Sequence, residues 1–361
     1  MKSLSNEQVL NIDSESLRDY CIKLLNKEGV PEEEAFYMAD SLVVANLRGV
    51  DSHGVSRMPI YMKRLREGLV NRKCSFEVQN EAPGSMLVDA QNSLGPVVGV
   101  KVMERAIEKA KESGSVMVGV KNSNHYGTAS YFSMLALKEN MIGISASNAP
   151  STMAPWGGIK PFLGTNPFSF AIPTGNEKPI VIDMATSVVA RGKIILAAKN
   201  GQKIPEGWAI NKEGEVTTDA EEALVGSVLP FAGPKGYAIS LLIDILAGIL
   251  SGGPYGPHIN NLYENFKDPQ CVGHFFGVIN IEKFIPVENF KSMVDRMIRE
   301  IKGAPKGKNT KEIFLPGEIE YNIQTKRLQE GIPITIPVLD DLKELGEIYS
   351  VPFTVKVVNN G

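Results

Sequence analysis

Two periodicities divide this chain. Over the first 70 residues apolar positions recur at helical spacing. SLRDYCIKLLNKEG predicts a helix that Asp13 or Ser14 caps and Gly29 closes. Pro31 opens a second, PEEEAFYMADSLVVANLRG, with Glu32, Glu33 and Glu34 at the positive end of the helix dipole and Gly49 at its end. A polar turn, VDSHGVSR, leads into a third helix over 58–67. From about Glu77 the pattern changes. GSMLVDA, SVMVGVKN, IGISASN, PFSFAIP, PIVIDMA and VGHFFGVIN read as strands, and SVMVGVKN is apolar enough to predict cover on both faces. Helices are predicted between them over 95–112, in YFSMLALKENM, over 188–200, over 235–250 and in ENFKSMVDRMIREIKGA. The tail turns helical again in LPGEIEYNIQTKRLQEG and LDDLKELGEIY. This alternation predicts an α/β or α+β chain with a substantial sheet. Residues 76–309 form the sheet domain in this reading, while 1–75 and about 310–361 pack together as one helical lobe.

Composition narrows the class. With 361 residues the chain is long enough for a large core, and its three scattered cysteines, Cys21, Cys74 and Cys271, rule out a disulfide-stapled scaffold. A net charge of −3 gives no support to nucleic-acid binding. The N-terminal stretch MKSLSNEQVLNIDSESLRDY lacks the apolar core of a secretory signal. The longest apolar run, YAISLLIDILAGIL, spans only 14 residues and contains Asp244, so it predicts a buried helix and no membrane span. Together with the odd cysteine count, this points to a reducing cytoplasmic setting.

Several familiar site signatures are absent. The chain has no G-x-G-x-x-G after a strand, no G-x-x-x-x-G-K-[ST], no C-x-x-C, no H-E-x-x-H and no G-x-S-x-G. No metal site is expected. The polar chemistry sits in short loops instead. DSHGVSR gathers Asp51, Ser52, His53 and Arg57, with Tyr61 one helical turn beyond Arg57, and Gly54 permits an unusual backbone angle or a close ligand approach. An Arg fork suits a carboxylate; a turn capped by Asp51 or Ser52 accounts for the same residues. KNSNHYG places His125 just after an apolar strand, where α/β proteins bind ligands and where a neutral imidazole can take a hydroxyl proton. A loop histidine bonded to backbone is the alternative. LGTNPFSF offers Thr165 and the amide of Asn166, VIDMATS offers Asp183 at a strand end, and FAGPKG puts Lys235 at a helix start suited to phosphate. Turn and capping roles explain these equally well. His274, flanked by strand residues, reads as structural, and His258 as a loop residue.

Taken in order, DSHGVSRMPIY, SNHYG, GTNPFSFAIP, VIDMATS and PKGYAISLLIDILAG resemble the type-2 malate/L-lactate dehydrogenase family over nearly the whole chain. That family includes L-sulfolactate, ureidoglycolate and 2,3-diketo-L-gulonate enzymes. The resemblance implies a non-Rossmann mixed sheet binding NAD or NADP, a helical lobe built from both chain ends, and a homodimer with its site near the interface. On this resemblance His125 is the catalytic proton acceptor, and His53 and Arg57 join it in catalysis. Ser52, His53, Arg57, Tyr61, His125 and Thr165 form the substrate pocket. Asn166, Asp183, Met184, Ala185, Lys235, Gly236, Pro316, Gly317 and Glu318 contact the cofactor. The usual histidine motif is SxHFG; here Tyr126 replaces the Phe and leaves His125 intact.

The reaction implied is interconversion of an (S)-2-hydroxy acid and its 2-keto acid, with malate and oxaloacetate first. Sulfolactate, lactate, ureidoglycolate and reduction of a cyclic imino acid are the alternatives, and a non-enzymatic binding protein is the remote one. A second anionic group on the substrate needs a further cation, for which Arg48 and Lys160 are candidates.

Overall fold

The computed structural model describes residues 9–358. The first eight residues, part of the stretch searched for a signal, lie outside them, as do the last three. The N-terminal elements are β1 (Val9–Ile12), α1 (Ser14–Lys27), α2 (Glu32–Leu47) and α3 (Met58–Arg66). Asp13 caps α1 through its side chain, which accepts the Ser16 N–H at 2.8 Å. The sheet region runs β2 (Glu77–Ala82), β3 (Ser85–Asp89), α4 (Gly95–Ser113), β4 (Ser115–Ser123), α5 (Ala129–Ser133), β5 (Met141–Ser147), β6 (Phe168–Ile172) and β7 (Ile180–Met184). An excursion follows: α6 (Arg191–Lys199), β8 (Ala209–Ile210), β9 (Val216–Thr217), α7 (Ala220–Val225) and β10 (Ser227–Val228). The chain then completes α8 (Pro234–Asp244), β11 (Val272–Asn280), α9 (Val287–Lys302), α10 (Glu318–Glu330), β12 (Ile332–Thr335) and α11 (Ile336–Tyr349).

The main sheet has seven strands in the order β2-β3-β4-β11-β5-β6-β7. Only β3 and β4 run parallel, joined by α4; the other pairs are antiparallel, so the sheet is mixed. One core packs α4 and α5 on this sheet through Val98, Val102, Phe132, Val118 and Phe276. A second core joins the two chain ends. Leu17, Leu24, Met38, Leu42 and Met62 pack with Ile332, Leu339 and Leu342, and β1 pairs with β12. Fully burying each such side chain contributes roughly 1.5–3 kcal/mol, so the ends are held by packing as well as by the two-strand ladder.

Three expectations change. The apolar run 237–250 is not a buried helix. Ser240, Ile243, Asp244, Ala247 and Gly248 face the protein, but Leu241, Leu242, Ile245, Ile249 and Leu250 stand exposed, Leu250 by 60%. An amphipathic stripe is hidden in that run because small and polar residues, not large apolar ones, make the inward contacts. The segment also leaves α8 through a π-helical turn, Ile245–Ile249. β4 is covered fully on one face only: Val116, Val118 and Val120 are buried, whereas Met117 and Lys121 are half-buried. The helix expected in YFSMLALKENM stops at Ser133 and continues as a 3-10 turn to Glu139. β2, the β1–β12 pair and the small β10-β8-β9 sheet carry no clear period and were not anticipated.

Register decides where the chemistry lies. Ser123 at the end of β4 pairs with Val272 at the start of β11, His274 pairs with Ser147 at the end of β5, and Ala146 pairs with Phe168, which pairs with Met184. His125 after β4, Thr165 before β6 and Asp183 near the end of β7 therefore lie at the same end of the sheet.

Candidate active site

At that end α3 meets the loop after β4. Arg57 precedes the first turn of α3 and Tyr61 lies within it. The Tyr61 hydroxyl bonds Nδ1 of His125 at 2.5 Å. His53 stacks near His125, with ring centroids 5.8 Å apart and planes inclined by 22°. Ser52 Oγ lies 3.0 Å from Nδ1 of His53. Arg57 is tethered through Nε, which donates to the Ser52 carbonyl at 2.7 Å, and its guanidinium lies 5.3 Å from the Tyr263 ring centre. Its two terminal nitrogens make no protein hydrogen bond among the described residues, and neither does Nε2 of His125. This leaves a free guanidinium fork and a free imidazole nitrogen in one pocket.

Electrostatics keep the imidazoles neutral. Burial, then repulsion between the charged forms of His125 and of His53, Arg57 and His274, holds His125 well below the ordinary imidazole range; of these only Arg57 carries a standing charge. Burial and Arg57 push His53 down to about 4. Burial raises the Tyr61 phenol, which stays protonated, with Arg57 opposing. A neutral His125 can accept a proton at Nε2 when Nδ1–H donates to Tyr61, or donate from Nε2–H when Tyr61 donates to Nδ1. The phenol serves either tautomer.

The backbone of the His125 loop is clamped. Gln270 Oε1 accepts the His125 N–H at 2.9 Å, and Asn124 donates to the Ser93 carbonyl at 3.0 Å. A Cβ on Gly95 would stand 2.2 Å from the Asn124 carbonyl oxygen, so α4 begins where only a glycine clears the loop. Gly54 has a related role that differs from the one expected. Its φ of −87° is ordinary, and the group pressed against it is the Asn46 side chain, which accepts the Val55 N–H at 2.8 Å. Neither Asp51 nor Ser52 caps the following turn. Asp51 turns away to form a two-pronged pair with Arg327 of α10, at 2.7 and 3.1 Å.

The second group of expected residues starts from the same sheet end, at β7. Asp183, the next-to-last residue of β7, accepts the Ser130 N–H at 3.1 Å, joining β7 to the helix that follows His125. Desolvation raises its pKa, with the Ser130 contacts and Arg48 opposing. Met184 beside it is 42% exposed. The Thr165 carbonyl accepts both the Thr186 N–H and its hydroxyl, and the Thr186 carbonyl accepts the Phe231 N–H at the approach to α8. Lys235 is exposed in the first turn of α8, and Gly236 packs on the Phe231 carbonyl. The buried Ser187 hydroxyl, next to Thr186 in the segment after β7, has no partner among the described residues. A carboxylate suited to a ribose diol, a free ammonium suited to phosphate, an unpartnered hydroxyl and an exposed thioether together fit a nucleotide.

Other expected residues are occupied. Asn166 is fully buried; its carbonyl accepts the Ala149 N–H and its amide donates to the Ser240 carbonyl, so the group sequence chemistry offers to a ligand is a strut between loops. Glu318 bonds Lys302 and the Leu315 N–H, the Pro316 carbonyl accepts the Val181 N–H, and Gly317 is pressed on Val181. Arg48 is buried beside Gln324 and Lys160 is exposed. His258 is an exposed loop residue. His274 is fully buried, with its two nitrogens each 2.9 Å from a serine hydroxyl, Ser147 and Ser123. Gln270 and Tyr263 escaped sequence reading: they lie in the polar loop before β11, which has no motif. Among the described residues no cluster of side chains suits a metal ion, and no helix is long and apolar enough to cross a membrane.

Comparison with known proteins gives a consistent result. A family model described as malate/L-lactate dehydrogenase matches residues 12–343. A malate dehydrogenase of Pyrococcus horikoshii is 44% identical over 358 residues, 97% of this chain and 98% of that protein. A malate/(S)-sulfolactate dehydrogenase of Methanothermus fervidus is 40% identical over 344 residues, covering 95% and 99% respectively. The solved structure of a sulfolactate dehydrogenase from Methanocaldococcus jannaschii superposes with a TM-score of 0.90 at 40% identity, covering 96% of this chain and 98% of that one.

Proposed function

The chain belongs to the malate/L-lactate dehydrogenase family, and from that premise we propose that it is an NAD(P)-dependent dehydrogenase interconverting an (S)-2-hydroxy acid and its 2-keto acid, with malate and oxaloacetate as the pair. The observation that carries this reading is the free Nε2 of a neutral His125 beside the free fork of Arg57. Arg57 binds the substrate carboxylate in two-pronged geometry. His125 takes the C2 hydroxyl proton at Nε2 in the oxidation direction and returns it in reduction. Tyr61 holds Nδ1, while Ser52 and His53 wall the pocket. Burial first, and then the Arg57 charge, depresses His125; an anionic substrate offsets the Arg57 part and eases formation of the imidazolium.

The nicotinamide cofactor, when bound, supplies the hydride acceptor or donor. Asp183, Met184, Ala185, Lys235 and Gly236 are proposed to hold it, with Thr165 linking the cofactor and substrate regions. Pro316, Gly317 and Glu318 act by bracing β7, and Asn166 by bracing the loop before β6. Sulfolactate is the second reading, favoured by the likeness to enzymes named for that substrate. The test is a nicotinamide absorbance assay with malate, sulfolactate, lactate and ureidoglycolate, each with NAD and with NADP. Malate as the acid with the highest kcat/KM supports the proposal; no turnover with any of the four overturns it.

The chain is proposed to act as a homodimer in the reducing cytoplasm, where Cys21, Cys74 and Cys271 stay free. The exposed row Leu241, Leu242, Ile245, Ile249 and Leu250 supports pairing with a second copy, because so contiguous an apolar patch is unusual on a monomer. A groove of about 540 Å³ lined by Ile142, Ile172, Ile180, Phe290, Met293 and Met297 adds apolar surface at the sheet end remote from His125. Leu242→Asp is expected to yield monomer in sedimentation; an unchanged dimer would remove this face from the interface.

A further inference from the structure

The loop 260–270 has no assigned role, yet it touches both halves of the pocket. Its base is closed by the Asn260 N–H on the Gln270 carbonyl at 3.2 Å and by the Asn260 side chain on the Pro269 carbonyl at 2.7 Å. Asn265 Oδ1 accepts the Lys267 and Asp268 N–H groups at 2.9 and 3.0 Å, which folds the tip. From this loop Tyr263 covers the Arg57 guanidinium, and Gln270 accepts the His125 N–H.

The loop is fastened by an unusual residue. Arg64 is only 1% exposed and forms no ion pair among the described residues. Its guanidinium donates to the carbonyls of Asn265 at 2.7 Å, Leu262 at 3.3 Å and Asp268 at 3.4 Å, and lies 5.8 Å from the Phe266 ring centre. A buried cation is costly to hold without a carboxylate. Here carbonyls of the loop supply the compensation, so cation and loop conformation depend on each other. Arg64 stands seven residues after Arg57, the residue at the N-terminal cap of α3, so the two are about two helical turns apart. The loop thus meets α3 at Arg64 and at Arg57, and meets the His125 backbone through Gln270.

We propose that loop 260–270 is a substrate-positioning strap, that Arg64 is the positioning residue that sets its register on α3, and that Tyr263 transmits that register to the acid-binding Arg57. This deepens the functional reading above and rests on it. Arg57 is tethered at Nε by the Ser52 carbonyl and covered on a face by Tyr263, which confines the guanidinium plane. With the strap displaced, the fork keeps its charge but loses its fixed angle, and the cost falls on the acid more than on the cofactor.

The test uses Arg64→Lys, which keeps the charge but cannot fork across three carbonyls, and Tyr263→Leu, which leaves the fastening intact. Each is expected to raise KM for the 2-hydroxy acid about tenfold while KM for NAD(P) changes less than about twofold, because misplacing one binding group costs orientation. The double variant should be little worse than either single one, since both act through Arg57. Amide hydrogen exchange of residues 260–270 should quicken in Arg64→Lys while α1 and α11 keep their protection. Unchanged loop exchange and acid KM in Arg64→Lys would overturn the proposal. So would a uniform loss affecting the acid, the cofactor and global protection alike, or additive effects of the two substitutions. If Arg64→Lys does not fold, Tyr263→Leu decides by its acid KM alone. If the unmodified protein turns over no 2-hydroxy acid, the functional reading fails and the exchange measurement decides the fastening separately.

Discussion

Two histidines near the same sheet end teach what makes an imidazole available for chemistry. His125 follows β4, and His274 lies in β11, paired with Val120 of β4. Both have depressed pKa values, each from burial first; that of His274 falls to about 3. They are also linked, because Tyr126, next to His125, stacks on His274 with centroids 4.3 Å apart and planes within 6°. The difference is in the nitrogens. His274 has both near serine hydroxyls, whereas His125 has one bound to Tyr61 and the other free. A shifted pKa therefore does not distinguish the two; an uncommitted nitrogen beside a cation does, and it is on this difference that the proposed role of His125 rests.

The sharpest way to break the comparison is at His125. His125→Ala should lower kcat by roughly 10²–10⁴-fold, the range of a general acid–base group. Cofactor affinity, read by fluorescence titration, should be nearly unchanged. Near-normal turnover would mean that His125 is as structural as His274. The second effect concerns stability. His274 stays neutral in the folded protein down to about pH 3, while in the unfolded chain it titrates near 6.5. The unfolded state thus binds the extra proton as pH falls, and stability present above 6.5 is lost below it. At pH 5 that loss is about 2 kcal/mol for this one group. Denaturant titrations of His274→Gln should lack this part of the acid sensitivity, and an identical pH dependence would refute the assignment.

A smaller effect is expected from Tyr61→Phe, which removes the hydroxyl from His125 Nδ1. The loss of one hydrogen bond corresponds to roughly a two- to tenfold fall in kcat, with the acid limb of the pH–rate profile displaced. An unmoved profile would show that Tyr61 only lines the pocket. The smallest effect belongs to Tyr126→Phe. Its hydroxyl lies 3.2 Å from Ser145 Oγ inside the core, so stability should fall by about 1 kcal/mol or less and kcat should hold. A large fall in kcat would show that the stack on His274 governs His125 after all.

Much of this site was legible because it is local in sequence. Arg57 and Tyr61 share a helix start, and His125 directly follows an apolar strand, so position alone gave them a common environment. The residues missed are those whose partners are distant. Gln270 acts on a backbone N–H 145 residues away, and Arg64 on carbonyls about 200 residues away. Asn166 shows the converse: its amide invited a ligand, but the fold brings Ala149 and Ser240 to both of its ends. In the apolar run 237–250, hydrophobicity indicated a helix but not which flank is inward, since Ser240, Asp244 and Gly248 make the inner contacts.

By itself the sequence determined the helical ends, the strand segments, the loops bearing polar chemistry and the family to which their order belongs. These follow from periodicities of 2 and 3.6 residues and from short spacings, which are properties of neighbouring residues. Tertiary structure alone decided that β4, β5 and β7 end at the same place, that His53 and His125, 72 residues apart, stack, and that Nε2 of His125 is free while both nitrogens of His274 are taken. Those outcomes depend on strand register and on which distant groups reach each polar atom. A one-residue slip would turn every side chain of a strand to the opposite face, and no local pattern records the partner strand.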